Sequence, residues 1–321
     1  MQIPIIDISS LVNNEIDSKD LNKIDEKIIS EIKHACQNIG FFLVKNHGIP
    51  DEIIDNIWQD TKDFFDSPFE YRNMFYSKNQ KEYPYGYLGI GYENLNAGKE
   101  IIDNKKSILL PDLKEMFSIG NNVKTKWPEN PKKFKESWQN YFKSMESLAN
   151  KLLQVMALAL GKDKDFFKKY VNNHVSSLRA LNYPNINNIN IPKRQVRASP
   201  HTDYGTLTIL NTDGPGLQVC QNFDYQSLDE IKWVDVPIIS NTLIINIGDI
   251  MQRWTNDNWK STLHQVINIK DSSERRQSIA FFHNPNKDAI IESIITDKKS
   301  KYEPIKVEDF LMIKHLNSVK K

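Results

Sequence analysis

The sequence predicts an α+β protein, mainly β, in which a double-sheet jelly roll follows N-terminal α/β elements and rests on one long helix. Two observations carry this expectation. From residue 176 onward, short β-type runs alternate with turn residues: Ser177–Tyr183, 206–211, Leu217–Cys220, 232–236, Thr242–Ile247, 263–269 and 278–283. Many short strands with frequent turns are the pattern of a sandwich or closed double sheet. Ahead of them, Phe134, Trp138, Tyr141, Met145, Leu148, Leu152, Val155 and Ala159 recur at three- and four-residue steps. That recurrence makes one apolar stripe on a helix over 131–160, with Pro131 suited to its first turn and Gly161 to its end.

The elements before this helix are mixed. Residues 3–8 suit an opening strand. A helical recurrence of Ile24, Ile28, Ile29, Ile32 and Ala35 runs over 21–38 and stops at Gly40. An apolar strand follows at 41–44, then a turn at 46–50 and a helix over 51–65. The pattern is irregular from 79 to 98, and 185–190 reads as an Asn-rich surface loop. The last helix covers Val307–Ser318. Residues 1–120 thus form an N-terminal α/β region and 121–321 the jelly-roll region with its supporting helices, the two making one compact unit.

Bulk composition narrows the function classes. The chain has 321 residues, 39% hydrophobic and 26% charged, with 42 basic against 41 acidic side chains and a net charge of +1. A nucleic-acid binder would show a basic excess, and none is present. Cys36 and Cys220 make neither a disulfide framework nor a zinc-type pair, so two buried reduced thiols in a cytoplasmic protein are expected. The N-terminus has no basic stretch followed by an apolar run, and nothing approaches the ~18 apolar residues of a membrane span. The sequence sets no oligomeric state, and a monomer is compatible with it.

The chemistry concentrates in three places. His201-Thr202-Asp203 precedes a turn closed by Gly205, and in extended backbone residues two apart share a face, so imidazole and carboxylate can reach one point. His264 on a distant strand offers a third ligand. Two imidazoles and one carboxylate on one face of an octahedron leave the opposite face open, the arrangement expected for Fe(II) oxygenases. Twelve residues on, Arg276-Gln277-Ser278 places a guanidinium and a hydroxyl on one strand face, where both can grip a carboxylate. Tyr183, before Pro184, could add a phenol to that grip.

In order and spacing these residues resemble the isopenicillin N synthase family of Fe(II)/2-oxoglutarate-dependent dioxygenases. The resemblance runs through Asn38-Ile39-Gly40-Phe41-Phe42, Asn46-His47-Gly48-Ile49-Pro50, Asn182-Tyr183-Pro184, the stretch beginning His201-Thr202-Asp203, Gly216-Leu217-Gln218-Val219, Asn246-Ile247-Gly248-Asp249, His264-Gln265-Val266 and Arg276-Gln277-Ser278. It implies a distorted double-stranded β-helix (jelly roll) with Fe(II) at His201, Asp203 and His264. It also implies 2-oxoglutarate held by Arg276, Ser278, Tyr183 and Asn182, O₂ as oxidant, ascorbate as a supporting reductant, and release of succinate and CO₂. The expected outcome is oxidation, hydroxylation first, of a small organic molecule. Alternatives are oxidation or cyclisation without 2-oxoglutarate, ethylene formation, a jelly-roll binding protein without catalysis, and a zinc hydrolase. The chain departs from the family in carrying Gln265 where Arg is common.

The resemblance also makes the N-terminal region a border of the substrate pocket, with Tyr85, Tyr87 and Phe117 as candidate contacts; Tyr204, directly after the metal motif, and His283, on the strand after the Arg-x-Ser motif, are further candidates. Tyr85 and Tyr87 belong to the run Tyr83-Pro84-Tyr85-Gly86-Tyr87. Arg179 and Arg197 are candidate charged contacts. His47 is expected to brace its turn, and His34, His174 and His315 to lie on the surface. Lys105-Lys106 and Lys298-Lys299 are expected to be solvated.

Overall fold

The structure, a computed structural model, describes residues 2–13, 26–77, 85–93, 95, 110–121, 123–186, 191–192, 195–225, 227–268, 274–295 and 298–318. Expectations placed on 21–25, 79–84, 96–98, 105–106, 187–190 and 269 lie outside the described residues.

The chain opens with β1 (Ile5–Asp7), α1 (Ser9–Asn13), α2 (Glu26–Asn38), β2 (Phe41–Lys45), α3 (Asp51–Asp66), α4 (Phe69–Asn73), β3 (Gly86–Leu88) and β4 (Glu115–Gly120). The spine helix α5 (Phe134–Ala159) and the short α6 (Lys168–Val171) lead into β5 (Ser177–Tyr183), β6 (Ala198–His201), β7 (Leu207–Thr212), β8 (Leu217–Cys220), β9 (Trp233–Asp235) and β10 (Thr242–Ile247). Then come α7 (Asp249–Trp254), β11 (His264–Val266), β12 (Arg276–His283), β13 (Ile290–Ile291), β14 (Ile305–Lys306) and α8 (Val307–Ser318).

Eight strands form one sheet in the order β1-β2-β10-β7-β12-β5-β4-β3, and four form a second in the order β6-β11-β8-β9. The N-terminal strands are therefore built into the main sheet: β4 pairs antiparallel with β5 along its length, and β2 with β10. Strands β3 and β4 were not expected as such from the sequence.

Alternation along each strand divides the side chains between two cores. One face of the large sheet packs on α2, α3 and α5 through Phe42, Val44, Leu178, Ala180, Ile279 and Phe281. The other face meets the four-stranded sheet through Phe41, Leu43, Leu181, Tyr183, Ala280, Leu217 and Val219. All eight stripe residues of α5 are buried. Trp138 is fully buried against the rings of Phe117 and Phe134, with centroids at 5.2 and 5.0 Å. The helix begins at Phe134 rather than Pro131, whose carbonyl accepts the Phe134 amide at 3.1 Å. It ends as expected at Gly161, with φ at 69°. Gly40 is held to glycine for two reasons: its φ is 67°, and a Cβ there would lie 2.0 Å from the Lys260 carbonyl oxygen. Among the described residues, no helix is long and apolar enough to cross a membrane.

Candidate metal centre

β6 ends on His201, and His201 pairs directly with His264 at the start of β11. Their ring centroids stand 4.2 Å apart. Asp203, two residues past the end of β6, turns its Oδ1 toward both rings, 4.0 Å from His201 Nε2 and 3.8 Å from His264 Nε2. One donor atom from each of the three lies within 4.8 Å of the others, and among the described residues this is the only such cluster.

The donors are oriented from behind. His201 Nδ1 donates to the Ser199 carbonyl at 2.7 Å and His264 Nδ1 to the Thr262 carbonyl at 3.0 Å. Each Nε2 is thereby left as a lone pair aimed at the shared point. Thr262 is anchored in turn by its hydroxyl on the Ile39 carbonyl at 2.6 Å. Asp203 Oδ2 accepts from Thr208 Oγ1 at 2.6 Å and Asn246 Nδ2 at 2.7 Å, which turns Oδ1 forward. Burial, reinforced by the neighbouring His264, holds the His201 pKa well below its ordinary value against the pull of Asp203. Burial alone would raise the Asp203 carboxyl, but His264, His201, Thr208 and Asn246 bring it below its usual value. A neutral imidazole and an ionised carboxylate are the forms that bind metal.

The turn bearing Asp203 is clamped. The Asp249 amide donates to the Asp203 carbonyl at 2.8 Å. Gly205 and Gly248 touch so closely that a Cβ on Gly248 would lie 2.2 Å from the Gly205 oxygen. A Cβ on Gly205 would lie 2.5 Å from Asn284 Oδ1 and 2.7 Å from the His283 oxygen, so glycine stands at both positions for different neighbours.

On β12, Arg276 and Ser278 share the inner face with Ala280, and Tyr183 faces the same space from β5, its ring 4.9 Å from the Arg276 Cζ. Arg276 Nε donates to the Gly214 carbonyl at 3.0 Å. Among the described residues, its two buried terminal nitrogens find no hydrogen-bond partner. A buried guanidinium with open donors is costly unless an anion meets it, so this end of the site fits a carboxylate.

Asn182 is corrected. It lies on the helix-side face of β5, where its Nδ2 donates to Glu115 Oε1 at 2.7 Å and its Oδ1 accepts from Arg275 Nε at 2.6 Å and Gln277 Nε2 at 3.1 Å. The one-residue step from Tyr183 turns it away from Arg276. Gln265 likewise points outward, bonding Gln218 Oε1 at 2.9 Å.

A cavity of about 260 Å³ opens on His201 and Asp203. Tyr85 and Tyr204 line it, as does Arg179. Tyr87, Phe117 and His283 do not. Tyr87 and Phe117 are buried in the helix-side core, and the Tyr87 hydroxyl donates to Glu115 Oε2 at 2.5 Å. Gly86, with φ at 105°, breaks the alternation that would have put Tyr85 and Tyr87 on one face. His283 is fully buried with its Nδ1 2.9 Å from Ser176 Oγ, and burial, then His174, lowers its pKa to about 3. Arg197 is also buried away from the cavity lining, donating to the Glu274 carbonyl at 2.5 Å.

Two histidines expected on the surface are buried. His174 pairs with Glu146 at 2.5 Å, and His315 on α8 lines the cavity. His47 braces its turn by accepting the Ile49 amide at 3.2 Å.

Sequence reasoning offered Arg179 but missed Glu93 and Lys114, the charged residues that line the cavity beside it. Lys114, 2% exposed, pairs with Glu93 at 2.9 Å and Asp112 at 3.0 Å, and Arg179 Nη1 donates to Glu93 at 3.3 Å. Burial works against the Glu93 carboxylate, but Lys114 and Arg179 outweigh it and hold its pKa down at about 2. The last helix was expected over Val307–Ser318, but not its place: α8 lines the cavity with Leu311, Met312 and His315.

A two-sheet jelly roll presenting two imidazoles and one carboxylate at one point defines the class of mononuclear non-haem metal oxygenases. Comparison with known proteins agrees. Residues 3–141 match the non-haem dioxygenase in morphine synthesis N-terminal family, and residues 172–285 match the 2OG-Fe(II) oxygenase superfamily. A homoarginine-6-hydroxylase of Glycine max is 31% identical over 312 residues, which span 92% of this chain and 89% of the relative. The 1-aminocyclopropane-1-carboxylate oxidase 3 of Arabidopsis thaliana is 29% identical, over 98% and 88% of the two chains. A full-length Neurospora crassa protein whose crystal structure was solved in complex with alpha-KG superposes with a TM-score of 0.81 at 29% identity, over 98% of this chain and 96% of that one.

The chain belongs to the 2OG-Fe(II) oxygenase superfamily. It is an Fe(II)- and 2-oxoglutarate-dependent dioxygenase, an oxidoreductase that uses iron and 2-oxoglutarate.

Proposed function

We propose that His201, Asp203 and His264 hold the Fe(II), that Arg276 with Ser278 and Tyr183 holds the distal carboxylate of 2-oxoglutarate, and that the protein hydroxylates a small organic molecule seated in the cavity beside α8. One observation carries the reading: a buried guanidinium, its two terminal nitrogens without a hydrogen-bond partner among the described residues, stands on the inner face of the large sheet, which packs against the four-stranded sheet that carries His201 and His264.

When bound, iron and 2-oxoglutarate supply the oxidising chemistry, with succinate and CO₂ as co-products. The chain's own residues do the rest. Nδ1–H bonds fix both imidazoles, and Thr208 and Asn246 fix the carboxylate, so the donors are set before metal arrives. The cavity walls hold one face of the substrate toward the centre. Leu311 and Met312 of α8 keep bulk water from it. A volume of about 260 Å³ suits a substrate below drug size.

We place the protein in the cytoplasm, as two free buried cysteines suit a reducing compartment. We assign it no nucleic-acid partner, because its net charge is only +1.

The test is succinate release from 2-oxoglutarate under air, measured across amino acids, nucleobases and small phenolics. Substrate-coupled release is expected with at least one compound. Chelation should stop it, and Fe(II) with ascorbate should restore it. Substrate oxidation without succinate would replace this reading with 2-oxoglutarate-independent oxidation, and recovery with Zn(II) alone would point to hydrolysis.

A further inference from the structure

We propose that Asp112 is a positioning residue for His201, acting through Ser199 and charge-balanced by Lys114; the inference rests on the reading of His201 as an Fe(II) ligand. The β6–β11 ladder lapses just before the metal centre. His264 faces His201 and Val266 faces Ala198, with the register shifting between them. Pro200 has no amide hydrogen to offer. In this gap the carboxylate of Asp112, itself 1% exposed, takes over the task of the ladder. Its Oδ1 accepts the Ser199 amide at 2.9 Å and the Ser199 hydroxyl at 2.6 Å. Ser199 held this way presents its carbonyl to His201 Nδ1 at 2.7 Å. The direction of that carbonyl sets the direction of the ring, and so of Nε2.

The other oxygen, Oδ2, is 3.0 Å from Lys114 Nζ, and Glu93 stands 2.9 Å from the same ammonium. The neighbouring Leu113 amide donates to the Val196 carbonyl at 3.1 Å, which keeps this segment alongside the approach to β6. A buried ion pair adds little net stability over an apolar replacement, so stability alone does not account for burying these charges here. Orienting a ligand does, because the groups behind a metal-bound histidine set metal affinity.

The experiment uses the full chain, measuring the Kd for Fe(II) by anaerobic titration and the thermal midpoint of the metal-free protein. Asp112→Asn should raise the Kd by roughly 10- to 100-fold. Glu93→Gln breaks the same buried network on the side away from Ser199, and should keep the parental Kd even where it lowers the midpoint. Ser199→Ala folds without disturbing the charges and loses one hydroxyl bond, for an expected rise of roughly 2- to 10-fold. A parental Kd in Asp112→Asn or Ser199→Ala, or equal weakening in Glu93→Gln, would overturn the proposal. A parental Kd in His201→Ala would strike the ligand reading itself and the proposal with it.

Discussion

Asp203→Ala is expected to reduce substrate-coupled succinate release to background while leaving a folded protein, and His201→Ala to do the same. The two differ in what they cost the fold. Asp203 is buried and accepts from Thr208 and Asn246, so its removal leaves two buried donors without their acceptor. That costs about 1–3 kcal/mol per group, a lowered thermal midpoint rather than unfolding. His201 keeps 17% of its side chain exposed, and its imidazole donates to a carbonyl of its own strand, so His201→Ala should cost less stability than Asp203→Ala. Turnover and thermal unfolding read on one preparation separate loss of metal from loss of fold. Parental turnover in either variant would remove that residue from the ligand set.

Arg276→Leu is expected to raise the KM for 2-oxoglutarate by roughly 10- to 150-fold, the equivalent of one charge-assisted hydrogen bond of about 1.5–3 kcal/mol. The physical basis is the pair of buried, open terminal nitrogens, which have their best use when a carboxylate meets them. Without co-substrate the variant should be close to the parent in stability. Leucine exchanges a desolvated cation, whose own charge burial already disfavours, for an apolar group, at the expense of the Nε bond to Gly214. With saturating 2-oxoglutarate and metal, the parent should gain thermal stability that the variant does not. An unchanged KM would place the co-substrate elsewhere.

The parts of this site that were legible in the sequence are those in which chemistry and backbone period coincide locally. His201 and Asp203 are two residues apart, and so are Arg276 and Ser278. In extended backbone that spacing alone puts each pair on one side. The strands after residue 176 announced themselves by short apolar runs, and α5 by its stripe. What failed depended on a single residue of parity or on contacts remote in sequence. Asn182 and Tyr183 are neighbours, yet the pleat sends one toward Glu115 and the other toward Arg276. Tyr85 and Tyr87 were both expected at the pocket, but Gly86 between them has a positive φ, and only Tyr85 lines the cavity. Beyond Arg179 itself, the network of Glu93, Asp112, Lys114 and Arg179 could not be read in advance, since Arg179 meets Glu93 across 86 residues of chain. Such pairing exists only once β4 has joined β5. His315 looked like a surface group on a terminal helix because nothing local says that α8 folds back over the cavity.

The most direct measurement is an anaerobic titration of the full chain with Fe(II), followed by 2-oxoglutarate, monitored by visible absorption and repeated with His264→Ala. With His201, Asp203 and His264 as the proposed ligands, one equivalent of iron per chain is expected. A charge-transfer band should appear only when 2-oxoglutarate is added, and both should be lost in the variant, since among the described residues His264 is the proposed ligand that β11 supplies. Iron binding and absorption that survive undiminished in His264→Ala would show that the ion sits somewhere other than between these two strands.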